Sequence, residues 1–90
     1  MALPSRHALR LCITVSNPQN GKHCQAVVLD VGPWNTDDDA YVFGGDRPLA
    51  EKGISISGEG TNGAGIDLGS YVWYALGMLD NTEVDWRWLV

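Results

Sequence analysis

Ninety residues at 9.8 kDa hold one small domain, spanning 1–90, and a chain of this length buries only roughly 60–65% of its unfolded surface, so its core is thin. Six Lys and Arg against eleven Asp and Glu give a formal net charge of −5, which argues against nucleic acid or an anionic membrane as partner, because both demand clustered cations. No apolar run approaches the roughly 18 residues that span a bilayer, and Pro4, Arg6, His7 and Arg10 break the opening stretch, which does not read as a signal peptide.

Residues Leu9 to Ser16 alternate strictly, with Leu9, Leu11, Ile13 and Val15 on one face, the pattern of a half-buried strand. His23 to Val31 continues an apolar face through Val27, Leu29 and Val31, and Pro18 with Asn20-Gly21 supplies the turn of a hairpin. A turn centred near Asn20 sets Ile13, Leu11 and Leu9 opposite Val27, Leu29 and Val31. The same register places Cys12 opposite Val28 and Cys24 opposite Ser16, about 13 Å apart at strand rise, so both thiols are expected to be free.

Gly32-Pro33 ends the second strand, since proline cannot donate to a ladder. From Trp34 to Gly65 periodicity is lost, and only Ile54 to Ser57 suggests a further short strand. An irregular segment this long inside a compact domain tends to be functional. Ser70 can cap a helix whose face is Val72, Trp73, Leu76 and Leu79, with Gly77 placed to end it. The run from Thr82 to Val90 alternates again, with Val84, Trp86 and Trp88 inward and Asp85 and Arg87 outward. The expected class is mainly β with one short helix.

Four segments in this order carry a family resemblance: Ser16 to Lys22, Asp30 to Trp34, Ile66 to Gly69 and Ala75 to Met78. Together they resemble the RlpA-like double-psi β-barrel, whose superfamily includes expansins and barrel-type lytic transglycosylases. The resemblance covers about two-thirds of the chain. It implies a small double-psi β-barrel, here lacking the family's first strand and carrying a long insert after Trp34. It also implies a cell-wall polysaccharide, peptidoglycan above all, as partner, and a cell-envelope or secreted location.

By the same resemblance Asp67 stands where barrel lytic transglycosylases hold a single acid/base aspartate. One carboxyl suffices there: it protonates the glycosidic oxygen, and an internal sugar hydroxyl then attacks the anomeric centre, whereas ordinary glycosidases use a carboxylate pair. Such an acid needs an apolar surround to stay protonated near neutral pH. The structural alternative is that Asp67 bonds backbone amides at the helix entry. Asp30 also matches the family motif, although an aspartate before Gly-Pro commonly organises its own turn.

Trp34, Tyr41 and Phe43 lie on the long segment and offer flat faces suited to sugar rings, or plugs for the open end of a barrel. Trp73, Trp86 and Trp88 have the spacing of core packing. Asp37-Asp38-Asp39 lacks the spacing of a calcium loop and is expected to be a solvated acidic stretch. His7 and His23 lack neighbours for a metal, and no metal or cofactor is expected.

Two classes of function stand open: a lytic-transglycosylase-like enzyme, or a non-catalytic polysaccharide- or protein-binding module of the expansin type, since fold does not fix function. If the barrel lacks its first strand, Leu9 to Val15 borders an unpaired edge. The expected outcomes are a homodimer through that N-terminal edge or a rearrangement of the opening residues to fill it.

Overall fold

A computed structural model describes residues 1–89, so Val90, the end of the last alternating run, lies outside the described residues. Strands outweigh helices. Strand β1 (Ala2–Leu3) lies parallel to β4 (Asp30–Val31), and a second sheet places β2 (Cys12–Ser16) between β3 (His23–Val27) and β5 (Asp85–Trp88), antiparallel to both. Helix α1 covers Asp39–Val42 and α2 covers Ser70–Ala75, with single 3₁₀ turns at Arg6–Ala8 and Leu49–Lys52. The two sheets do not join into a closed barrel among the described residues. Nor is any described helix long and apolar enough to cross a membrane.

The hairpin forms where the sequence predicts it, with a different register. Asn17 donates its amide to the Lys22 carbonyl at 2.8 Å and accepts the Gly21 amide at 2.9 Å, with Gly21 left-handed at φ 75°. The loop is therefore the four residues 18–21 rather than a turn centred on Asn20. Ile13 consequently faces Ala26 and Val15 faces Cys24, one place away from the expected partners. A one-residue slip exchanges the faces of a strand. Cys24 and Ala26 pack against the core, while Val27 and Leu29 turn outward, Leu29 to 69% exposure. The thiols are free, with Cys12 opposite Val27 and Cys24 opposite Val15.

The expected alternation also fails at the start of β2. Arg10 donates to the Val28 carbonyl at 2.7 Å, Val28 donates to the Leu11 carbonyl at 2.9 Å, and Arg10 sits at φ 71°. Two residues thus oppose one, a bulge that ends the regular ladder and leaves Leu9 and Leu11 exposed. Strand β2 is the centre of its sheet, so the free edges belong to β3 and β5 and not to Leu9 to Val15. The opening residues are drawn into the fold: Ala2 and Leu3 are buried, and Ala2 exchanges backbone hydrogen bonds with Asp67 at 2.8 and 3.0 Å.

Leu3, Ile13, Val15, Val28 and Leu76 are wholly buried and form the core with Val42, Val72 and Met78. On α2, Val72 and Leu76 face inward as the spacing predicts, but Gly69 is the flanking residue and no side chain caps the helix. Gly77, at φ 65°, turns the chain out of the helix, and Leu79 beyond it is 99% exposed rather than part of the buried face. Asn17 and Asn20 each donate a side-chain amide to the Leu76 carbonyl at 3.0 Å, so the hairpin turn satisfies a carbonyl that the helix end leaves orphaned. Ile54 to Ser57 is not a strand; it enters a reverse turn closed by a bridge from Ile54 to Gly60.

Candidate functional site

The long segment and β5 enclose a cleft of about 1090 Å³. One side is the run from Asn81 to Trp88, and the other is formed by Tyr41 to Pro48 and Asn62 to Leu68. Its aromatic wall follows from the alternation of β5, which sends Trp86 and Trp88 to the same face as Ile13 and Val15. The indole N–H of Trp86 donates to the Tyr41 hydroxyl at 2.8 Å, and the two rings meet edge to face at 5.9 Å. Trp86 meets Trp88 edge to face at 5.2 Å, and Phe43 stacks on Trp88 at 5.2 Å with 8° between the planes. Edge-to-face and offset contacts of this kind add to the burial of the rings and hold them rigid. Trp88 also donates to the Val42 carbonyl at 3.3 Å, tying α1 to the strand.

Four of the five residues singled out from the sequence line this cleft: Trp34, Tyr41, Phe43 and Asp67. Phe43 is 48% exposed and Trp34 41%, so both keep area available to a ligand, whereas Tyr41 is half-buried. Trp34 takes a left-handed backbone at φ 68° and donates its indole N–H to Asn62 at 3.0 Å. A bulky residue at positive φ costs energy, and such strain persists only where the surroundings enforce it. Asp67 has an exposed side chain, while its backbone is fixed by the bridge to Ala2. Asp30 does not line the cleft; its carboxylate accepts the amide of Val31 at 2.8 Å, the local turn role open to it from sequence.

The residues lining the cleft carry more acid than base: Asp46, Glu51, Asp67, Glu83 and Asp85 against Arg47 and Arg87. The Arg47 guanidinium is already held by the Glu51 carboxylate four residues on, which raises its pKa, with Glu83 contributing further. Burial pushes the Tyr41 hydroxyl above the ordinary tyrosine value, opposed by the Trp86 hydrogen bond. Tyr41 thus stays neutral and serves as an acceptor for Trp86.

The acidic run is solvated in part, with Asp37 exposed, Asp39 half-buried and only Asp38 buried, and each carboxylate also has a partner. Asp37 takes Arg6 in a two-pronged pair at 2.7 and 2.9 Å, and buried Asp38 accepts the Leu49 amide at 2.8 Å. Asp39 accepts the Ser5 hydroxyl and pairs with His7 Nδ1 at 2.8 Å. The Ser5 hydrogen bond, followed by His7, holds the Asp39 carboxyl below its ordinary value. These contacts pin residues 5–7 to the start of α1 and so fix the approach to Tyr41 and Phe43. Among the described residues no cluster of His, Cys, Asp or Glu is placed to hold a metal ion.

Trp86 and Trp88 are the site residues that sequence reasoning assigned to packing alone. They do both, being half-buried against the core while lining the cleft. Their alternation with Asp85 and Arg87 marks a strand with one apolar face, and nothing in that pattern tells a core from a cleft wall. Compared with family models, curated proteins and solved structures, the chain matches none.

Proposed function

We propose that this chain binds cell-wall glycan in the aromatic cleft, as an open relative of the double-psi β-barrel, with Asp67 as the acid/base of a lytic-transglycosylase-like cleavage. The observation that carries the proposal is that Asp67, far in the sequence from Trp34, Tyr41 and Phe43, lines one concave surface with them. Aromatic faces pack on the C–H faces of pyranose rings. A carboxyl beside them is within the same cleft as a glycosidic oxygen would be, and a proton can pass from it to the leaving group. The order of the four family-like segments and the parallel pairing of β1 with β4 support the barrel relationship.

A second reading has its own observation. Asp67 is exposed and lacks the apolar enclosure that a neutral-pH general acid needs, which favours a binding module without turnover. Product release from purified peptidoglycan by the wild type and by Asp67→Asn separates the two. Loss of product with binding retained in the variant supports catalysis. Release from neither, with binding intact, leaves the binding module, whereas equal release from both removes Asp67 from the chemistry. Failure of the wild type to retain any wall polysaccharide contradicts both.

A further inference from the structure

The cleft presents more than rings. It is lined by an unbroken run of both odd and even residues from Asn81 to Trp88, so β5 borders it along the strand's edge as well as by one face. The ladder fixes which backbone groups point there. Leu89 donates to the Cys12 carbonyl at 3.0 Å, and with Thr14 opposite Arg87 and Ser16 opposite Asp85, alternation directs the amides and carbonyls of Asp85, Arg87 and Leu89 toward β2. Those of Trp86 and Trp88 point away from it. Strand β5 is the outer strand of its sheet, and no described strand pairs with it on that side.

We infer that this free edge of β5 is a docking edge for an extended, basic peptide segment, which adds antiparallel as a fourth strand to the β3–β2–β5 sheet. Two donors and two acceptors, on Trp86 and Trp88, supply the main-chain recognition typical of strand addition. Side-chain selection follows from the pleat. Residues of the peptide directly opposite Trp86 and Trp88 share their face and meet the indoles and Tyr41, so apolar residues fit there. The intervening residues project to the opposite face beside Glu83, Asp85 and Arg87, where carboxylates outnumber the guanidinium. A net charge of −5 on the whole chain likewise favours a basic partner. The inference is separable from the glycan proposal, because its main-chain recognition uses the amides and carbonyls of Trp86 and Trp88 and needs neither Trp34 nor Phe43, although the two share Tyr41.

The test uses the full, isotope-labelled chain and an acetylated, amidated heptapeptide of alternating lysine and valine at low salt. Peptide addition is expected to slow amide exchange at Trp86 and Trp88 and to shift their resonances. N-methylation of the valines, whose amides face β5, is expected to weaken binding at least about tenfold, a loss of about 1.4 kcal/mol. N-methylation of the lysines leaves it unchanged. Equal effects of the two methylation patterns, protection at His23, Gln25 and Val27 on the other outer strand, or no binding would each overturn the inference. So would the same Trp86 and Trp88 protection from an N-acetylglucosamine hexamer alone, which would make the edge a sugar contact.

Discussion

The indole of Trp86 donates to the hydroxyl of Tyr41 at 2.8 Å across 45 residues of chain. That contact joins the last strand to the first helix of the long segment, and with it the two sides of the cleft. Tyr41→Phe keeps the ring contact and removes only the acceptor, leaving the indole N–H of a half-buried tryptophan without its partner. The expected cost is about 1 kcal/mol, read as a lowered denaturant midpoint with an unchanged m-value. An unaltered midpoint would mean that water replaces the hydroxyl at no cost.

Asn17 tests how the hairpin and α2 are joined. Its side chain is buried, donates to the Leu76 carbonyl and accepts the Gln19 amide. Asn17→Ala leaves the Gln19 amide without its acceptor and the Leu76 carbonyl to Asn20 alone, and a loss of roughly 1 kcal/mol is expected. Thermal unfolding of the variant measures it.

Arg10→Gly is expected to move stability the other way. Arg10 is exposed at φ 71°, a conformation that costs an L-residue roughly 1–2 kcal/mol and glycine almost nothing. After the greater freedom of glycine in the unfolded chain is subtracted, a gain of up to about 1 kcal/mol remains. A destabilised variant would show that the arginine side chain contributes to the bulge beyond its backbone.

Gly65 marks a close approach in the cleft wall. A Cβ there would lie 2.8 Å from Pro48 Cβ and 3.2 Å from the Tyr41 hydroxyl, with Pro48 Cγ nearer still. Gly65→Ala therefore forces the wall to shift, at a cost of about 1–3 kcal/mol, and loosens the Tyr41–Trp86 pair. A fall in the folding midpoint accompanied by a change in tryptophan fluorescence is the expected result.

The pH response of the fold follows from Asp39. Its carboxyl is held below the ordinary aspartate value, first by the Ser5 hydroxyl and then by His7. A depressed folded-state pKa contributes stability that is fully present above the unfolded value and is lost as pH falls through the folded one. The melting temperature should therefore drop below about pH 4, and Asp39→Asn should flatten that limb. An unchanged acid limb in the variant would assign the acid sensitivity to other carboxylates.

Much of the fold is legible in the sequence where local chemistry decides it. The Pro18 to Gly21 turn, the helix ended by Gly77 and the two-sided last strand are set by neighbours along the chain. What was not legible depends on partners far away. The hairpin register turns on whether its loop holds four residues or is centred on Asn20, and one residue's difference moves Val27 and Leu29 out and Cys24 and Ala26 in. The place of β2 between β3 and β5 depends on where the last strand docks, which no local pattern states. The burial of Asp38 and the pairing of all three aspartates are not legible, because their partners, Arg6, Leu49, Ser5 and His7, lie at least eleven positions away. The cleft was half legible: aromatic residues on an aperiodic segment suggest a surface role, whereas Trp86 and Trp88 on a regular strand look like core.

The most direct test of the central claim is the affinity of the intact chain for soluble peptidoglycan fragments, measured calorimetrically for the wild type and for the Trp34→Ala, Phe43→Ala double variant. Both side chains are substantially exposed, so the variant keeps its core, and a matched circular dichroism spectrum verifies that it folds. A glycan seated on these rings loses at least about tenfold in affinity, equivalent to about 1.4 kcal/mol. Undiminished binding by the folded double variant would contradict the account and place any glycan contact outside the cleft.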